Sequence, residues 1–176
     1  MRLLFTLDKK DYDDSMPRFN RPSVRGIIIR NGKVAMVHSL KYDYYKFPGG
    51  GIERGEDHRT TLCREVAEEA GLQVIPDSIR EYGMVHRIQK GDHNDVFVQD
   101  NFYYLCDVEK DARSQNLDEY EAEENFVFEW IFPEQAIRIN RISAGKEPAG
   151  YSTFALMLER EARVLELLMD ENFFQG

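Results

Sequence analysis

Between Gly49 and Leu72 the chain reads Gly-Gly-Gly-Ile-Glu-Arg-Gly-Glu-Asp-His-Arg-Thr-Thr-Leu-Cys-Arg-Glu-Val-Ala-Glu-Glu-Ala-Gly-Leu, and no other stretch constrains the fold as tightly. Four glycines precede a segment of helical periodicity, which stops at Gly71, a residue suited to the left-handed turn after a helix. Asp57 is placed to cap the helix start, and Glu56 and Asp57 set negative charge at the positive end of its dipole. At about 100° per residue, Glu65, Glu68 and Glu69 fall within an arc of about 100°. Leu62, Cys63, Val66, Ala67 and Ala70 fill a separate arc of about 140°, which suits a core. The helix therefore has one apolar face and, beside it, a patch of carboxylates.

Like charges three and four residues apart cost an isolated helix roughly 0.2–0.5 kcal/mol per pair. A carboxylate patch beside a buried face calls for a compensating cation, and oxygen-only ligands favour a hard ion, Mg²⁺ or Mn²⁺. A solvated acidic face is the alternative that spacing alone leaves open.

The same residues carry a resemblance. Gly50, five residues, Glu56, seven residues, then Arg64-Glu65-Val66-Ala67-Glu68-Glu69-Ala70-Gly71-Leu72 is similar to the Nudix box at every fixed position, without a gap over 23 residues. The resemblance implies an α/β fold, a Nudix-type α/β/α sandwich with a mixed central sheet and a C-terminal helix. It implies Glu65, Glu68 and Glu69 as divalent-metal ligands, with the Gly49 carbonyl as a further one. Arg64, together with Glu56, would orient the catalytic carboxylates. Nudix enzymes often take one more acid from outside the box, and Glu124 is the expected one here, with Glu123 next. Cys63 and Cys106 cannot make a disulfide framework and have no partners at metal-like spacing, and Cys63, on the apolar arc, is expected as a buried core thiol.

A chain of 176 residues, 42% hydrophobic, is expected to form one domain over 1–176 with a substantial core. Its net charge of −9 argues against a general binder of nucleic-acid polymers or acidic membranes. It also repels a phosphorylated substrate at long range unless metal intervenes, which agrees with a metal-dependent site. No apolar run is long enough for a transmembrane helix, and Met1–Asp8 is too short for a signal peptide, so the cytoplasm is the expected location.

Along the chain, residues 3–7 read as a strand and 8–22 as irregular. Val24–Ile29 and Val34–Val37 flank Asn31-Gly32, a strong hairpin signal. Tyr42, Tyr44 and Tyr45 with Lys41 and Lys46 suit stacking of a base or a phosphate contact, or else ordinary strand aromatics with solvated lysines. Residues 72–75, 79–88 and 96–105 read as strands, 108–125 as an acidic loop, and 126–131 as a strand. Pro133 suits the first turn of a helix, and Thr153–Met169 has strong helical spacing. Arg87 and Lys90 read as surface charges, with phosphate contact as the alternative.

The expected activity is metal-dependent hydrolysis of a nucleoside diphosphate linked to another moiety. The substrate would be a phosphorylated small molecule, a nucleotide, with nucleoside triphosphates, oxidised ones included, favoured slightly over nucleotide sugars and ADP-ribose. Glu65→Gln and Glu69→Gln are expected to abolish activity while leaving folding intact. A non-catalytic sensor on the same fold, or a diphosphate isomerase, are the competing classes. The family resemblance also makes a homodimer an expectation.

Overall fold

The computed structural model describes residues 1–110, 115–148 and 150–175. The N-terminal third supplies six strands: β1 (Leu3–Asp8), β2 (Arg18–Asn20), β3 (Ser23–Ile27), β4 (Ile29–Arg30), β5 (Lys33–Ser39) and β6 (Tyr44–Lys46). Helix α1 (His58–Ala70) follows, then the long strands β7 (Arg80–Lys90) and β8 (Val96–Leu105). A short helix α2 (Glu119–Glu123), strand β9 (Phe126–Ile131) and helices α3 (Pro133–Ala144) and α4 (Phe154–Asp170) complete the described elements. The segment expected as a loop over 108–125 thus contains a helix, started by the capping box of Asp118 and Glu121. Its residues 111–114 lie outside the described ones.

Two sheets form. In the first, β7 and β8 are antiparallel and β1 runs parallel to β7. β2 and β3 share the far edge of β8 in one continuous register, from Arg18 opposite Val96 to Ile27 opposite Leu105. They are one strand interrupted at Arg21-Pro22, where proline has no N–H to give the ladder. The second sheet is antiparallel, with β5 paired to β4, β6 and β9. The chain crosses between sheets at Ile27-Ile28: the Ile27 carbonyl accepts from Cys106 N and the Ile28 carbonyl from Ala35 N. The expected Val24–Ile29 strand is split there. Asn31 and Gly32 turn the β4–β5 hairpin with φ of +53° and +71°, as a type I′ turn demands. Leu72–Ile75, expected as a strand, makes a single bridge, Val74 to Val108.

Alternation along the strands feeds two cores on opposite sides of the sheets. Ile27, Val34 and Met36 point to one side, where Val164, Leu165 and Leu168 of α4 cover them. Val24, Ile28 and Ala35 point to the other, against Leu62 and Val66 of α1. The result is the expected α/β/α sandwich with mixed pairing and a C-terminal helix. No helix among the described residues is long and apolar enough to cross a membrane.

Candidate active site

Helix α1 is fixed by its own ends and its buried face. The Asp57 side chain accepts from Thr60 N at 2.7 Å, and Gly71, at φ +65°, returns its N–H to the Ala67 carbonyl. With Leu62, Val66 and Ala70 buried, Glu65, Glu68 and Glu69 emerge on the flank beside Gly49–Gly51. That approach is close enough to require glycine. A Cβ on Gly50 would lie 2.4 Å from the Glu65 carboxyl, and one on Gly49, at φ +142°, would lie 2.1 Å from the Val24 carbonyl oxygen.

Arg64 ties the box carboxylates together. Its Nε and Nη2 donate to the two oxygens of Glu56 at 2.9 Å each, a bidentate pair. Its Nη1 donates to Glu65 at 2.9 Å and to Glu68 at 3.1 Å. The Arg64 guanidinium, helped by the Thr61 hydroxyl at 2.7 Å, pulls the Glu56 carboxyl down to about 2. Glu65 moves the other way: burial and the neighbouring charge of Glu69 raise it above its ordinary value.

Glu69 is deeper. Its side chain is 1% exposed, and it accepts from the equally buried Lys46 Nζ at 2.5 Å and from Gly49 N at 2.9 Å. Burial opposes its charge, but Lys46, Glu121 and Arg25 outweigh burial and hold it below its usual value. Lys46 is therefore an interior ion-pair partner and not a solvated strand lysine. Glu121 of α2 lies against Glu69, and burial together with that neighbour pushes it up to about 8.

Glu65, Glu68, Arg64 and Glu121 line one cleft of about 510 Å³ with Gly51, Ile52 and Arg21. Glu124, the acid expected to join them, points elsewhere. Its carboxylate accepts from Tyr44 OH at 2.7 Å and Ser39 Oγ at 3.0 Å, behind the short helix. Glu123 is exposed and outside the cleft. Glu121 is the acid of this segment that lines the cleft, and the Asp118-x-x-Glu121 capping pattern turns its carboxylate back to Asp118 N at 2.9 Å. The Gly49 carbonyl, expected to face a metal, accepts from Arg25 Nη1. Cys63, expected in the core, is half-buried, whereas Cys106 is buried and its thiol is pushed up to about 12 by burial.

A second cavity, of about 430 Å³, opens on the other side of the glycine segment and shares Arg21 and Gly51 with the first. Its lining is mainly basic: Arg21, Arg25, Lys46, Arg87 and Arg160 outnumber Asp92 and Asp95, with Phe19 and Phe97 at its wall. Arg87, read from sequence as a surface charge, is 3% exposed, while Lys90 is exposed as expected.

Among the described residues no three His, Cys, Asp or Glu side chains already converge as a metal site, and Arg64 and Lys46 are paired with the box carboxylates. The donor set still suits a hard divalent ion. All its ligands are oxygens, and Glu65, Glu68 and Glu121 line one cleft beside the buried Glu69.

The NUDIX domain family model matches residues 20–151, and the chain belongs to that family. An RNA pyrophosphohydrolase of Acinetobacter baylyi is 28% identical over 123 residues, covering 63% of this chain and 72% of that protein. The Xenopus laevis protein named nucleoside diphosphate-linked moiety X motif 6 is 31% identical over 107 residues, covering 57% of this chain and 47% of its own length. Among solved structures, a NUDIX hydrolase from Nitrosomonas europaea aligns with a TM-score of 0.55 at 17% identity, over 81% of this chain and 89% of that one. The E. coli ORF135 protein aligns with a TM-score of 0.51 at 20% identity, over 86% and 93%. These two share the fold.

Proposed function

We propose that the cleft hydrolyses the phosphoanhydride of a nucleoside diphosphate linked to another moiety, with Glu65, Glu68 and Glu69 holding Mg²⁺ or Mn²⁺. The observation that carries this reading is the Arg64-centred carboxylate cluster, set directly against the glycine segment in an open cleft. When bound there, the divalent ion neutralises charge on the bridging oxygens and lowers the pKa of water. The remaining work falls to the chain itself. Arg64 fixes Glu56, Glu65 and Glu68 in one rigid array, which limits the reorganisation needed when phosphate arrives. Glu121, in place of Glu124, is the acid from outside the box; burial and Glu69 keep it largely protonated below about pH 8, so it would accept the proton of the attacking water only once ionised beside a bound cation.

The relatives named RNA pyrophosphohydrolase make a 5′-triphosphorylated oligonucleotide a necessary comparison. We favour a mononucleotide, preferentially a nucleoside triphosphate, because the chain carries −9 overall and repels a polyanionic polymer. The test is a substrate panel with Mg²⁺ and with Mn²⁺, run on the wild type and Glu65→Gln. Nucleoside monophosphate, phosphate and pyrophosphate are resolved among the products. Mononucleotide turnover by the wild type, lost in the variant by on the order of 100-fold or more, is expected. Unchanged turnover in Glu65→Gln would refute the assignment, and preference for the oligonucleotide would refute the choice of a mononucleotide.

A further inference from the structure

The inner face of the first sheet should be apolar where α4 covers it, and half of it is. Val85 and Tyr103 belong to that core. Further along the same face the strands instead carry Arg25, Arg87, Gln89, Gln99 and Asn101, every one of them buried. Arg87 stands opposite Gln99 in the β7–β8 ladder and lies over the Phe97 ring, 4.9 Å from its centre. Arg160 of α4 closes the cavity from above.

The charges in this strip do not balance. Arg160 is satisfied by Glu161, Gln99 and Asn101. Lys46 is satisfied by Glu69. Arg87 has no ion-pair partner among the described residues, and its Nε has no hydrogen-bond acceptor. Burial, with Arg160 and Arg25 as neighbouring positive charges, pulls its guanidinium down to about 9. The Nε of Arg25 is also unpartnered. Of the five buried side-chain polar atoms lacking a partner among the described residues, three belong to Arg25, Arg87 and Gln89 of this strip and a fourth to Tyr103 beside it. A buried, unpaired guanidinium is expensive to maintain, and folding alone gives no reason to keep it.

We propose that this cavity is an anion site that receives a phosphate of the substrate other than those at the carboxylate cleft, with Arg87 as its principal donor. The inference deepens the proposed reaction and rests on it: the substrate bridges Gly49–Gly51, its scissile anhydride on the acidic side and a further phosphate on the basic side. A planar guanidinium held over Phe97 presents a fork suited to two phosphate oxygens. Substrates with that extra phosphate are thereby selected over nucleotide sugars, whose second moiety is neutral.

The test measures binding of inorganic pyrophosphate by calorimetry with EDTA present, so that no metal and no turnover are involved. Losing one charge-assisted contact corresponds to at least about tenfold in affinity, so Arg87→Met should weaken pyrophosphate by that much. Its Tm should stay level or rise, because an unpaired buried charge is replaced by an apolar side chain of similar length. Arg87→Lys, which keeps the charge and loses the fork, should bind with intermediate affinity. Given turnover, Arg87→Met should raise KM for a nucleoside triphosphate with kcat little changed, and leave KM for a nucleotide sugar alone. Pyrophosphate binding equal in wild type, Arg87→Met and Arg87→Lys overturns the proposal, as does a marked fall in Tm for Arg87→Met with affinity unchanged. The two readings fail separately. Pyrophosphate binding through Arg87 in a protein that hydrolyses nothing sinks the reaction and keeps the anion site, while turnover without metal-free binding does the reverse.

Discussion

Replacing Lys46 by methionine isolates the buried ion pair that holds Glu69. Lys46 and Glu69 meet at 2.5 Å with side chains 5% and 1% exposed, so neither charge has water to fall back on. Removing one partner of a buried pair typically costs 3–5 kcal/mol, because the remaining charge is left uncompensated; about 3 is expected here. The lower end follows from what Glu69 retains: the Gly49 N–H at 2.9 Å and the nearby Arg25 charge. For a domain of this length that loss lowers Tm by roughly 6–12 °C.

Urea unfolding in EDTA measures the loss directly. A divalent ion added afterwards should stabilise Lys46→Met more than wild type, since in the variant it takes over from Lys46 in neutralising Glu69. The Lys46→Met/Glu69→Gln double variant should cost clearly less than the two single losses combined, because both charges leave together. The same geometry revises the expectation that Glu69→Gln leaves folding intact: it strands Lys46 in the interior and must cost stability too. A loss under about 1 kcal/mol in Lys46→Met, the range of exposed pairs, would refute the claim that this pair is buried and interdependent.

Two further outcomes follow from the same site. Gly50→Ala places a methyl 2.4 Å from the Glu65 carboxyl and forces it off Arg64, so kcat should fall on the order of 100-fold while urea stability changes little; a variant with near-normal kcat would show that Glu65 need not hold this position. Glu56, held down to about 2 by Arg64 and lying near 4.5 when unfolded, contributes stability that is complete above about pH 4.5 and disappears as pH falls toward 2. Unfolding midpoints from pH 7 to 2.5 should therefore fall less steeply over that acid window in Glu56→Gln than in wild type, and parallel curves would refute the coupling.

The parts of this molecule legible in the sequence are those decided by neighbours along the chain. Asp57 and Gly71 end α1 by local hydrogen bonds and a left-handed turn, and Asn31-Gly32 sets its hairpin by φ alone, so all three are visible without the fold. The acidic segment was harder. Residues 119–123 make barely more than one helical turn, and a turn that short decides by its cap whether Glu121 or Glu124 faces the cleft. The cations were illegible for a different reason. Lys46 meets a residue 23 positions away, and Arg87 is buried only because α4 closes over strands paired across the first sheet. Burial of that kind is a tertiary outcome, and a lysine or arginine on an alternating strand looks solvated until its cover is known. The same blindness affects net charge. A total of −9 says that phosphate is repelled from afar, yet the glycine segment separates an acidic cleft from a basic cavity. A phosphorylated ligand that reaches this boundary meets both signs within one molecule's length, so its orientation is set by the order of charges across Gly49–Gly51 and not by the protein's total.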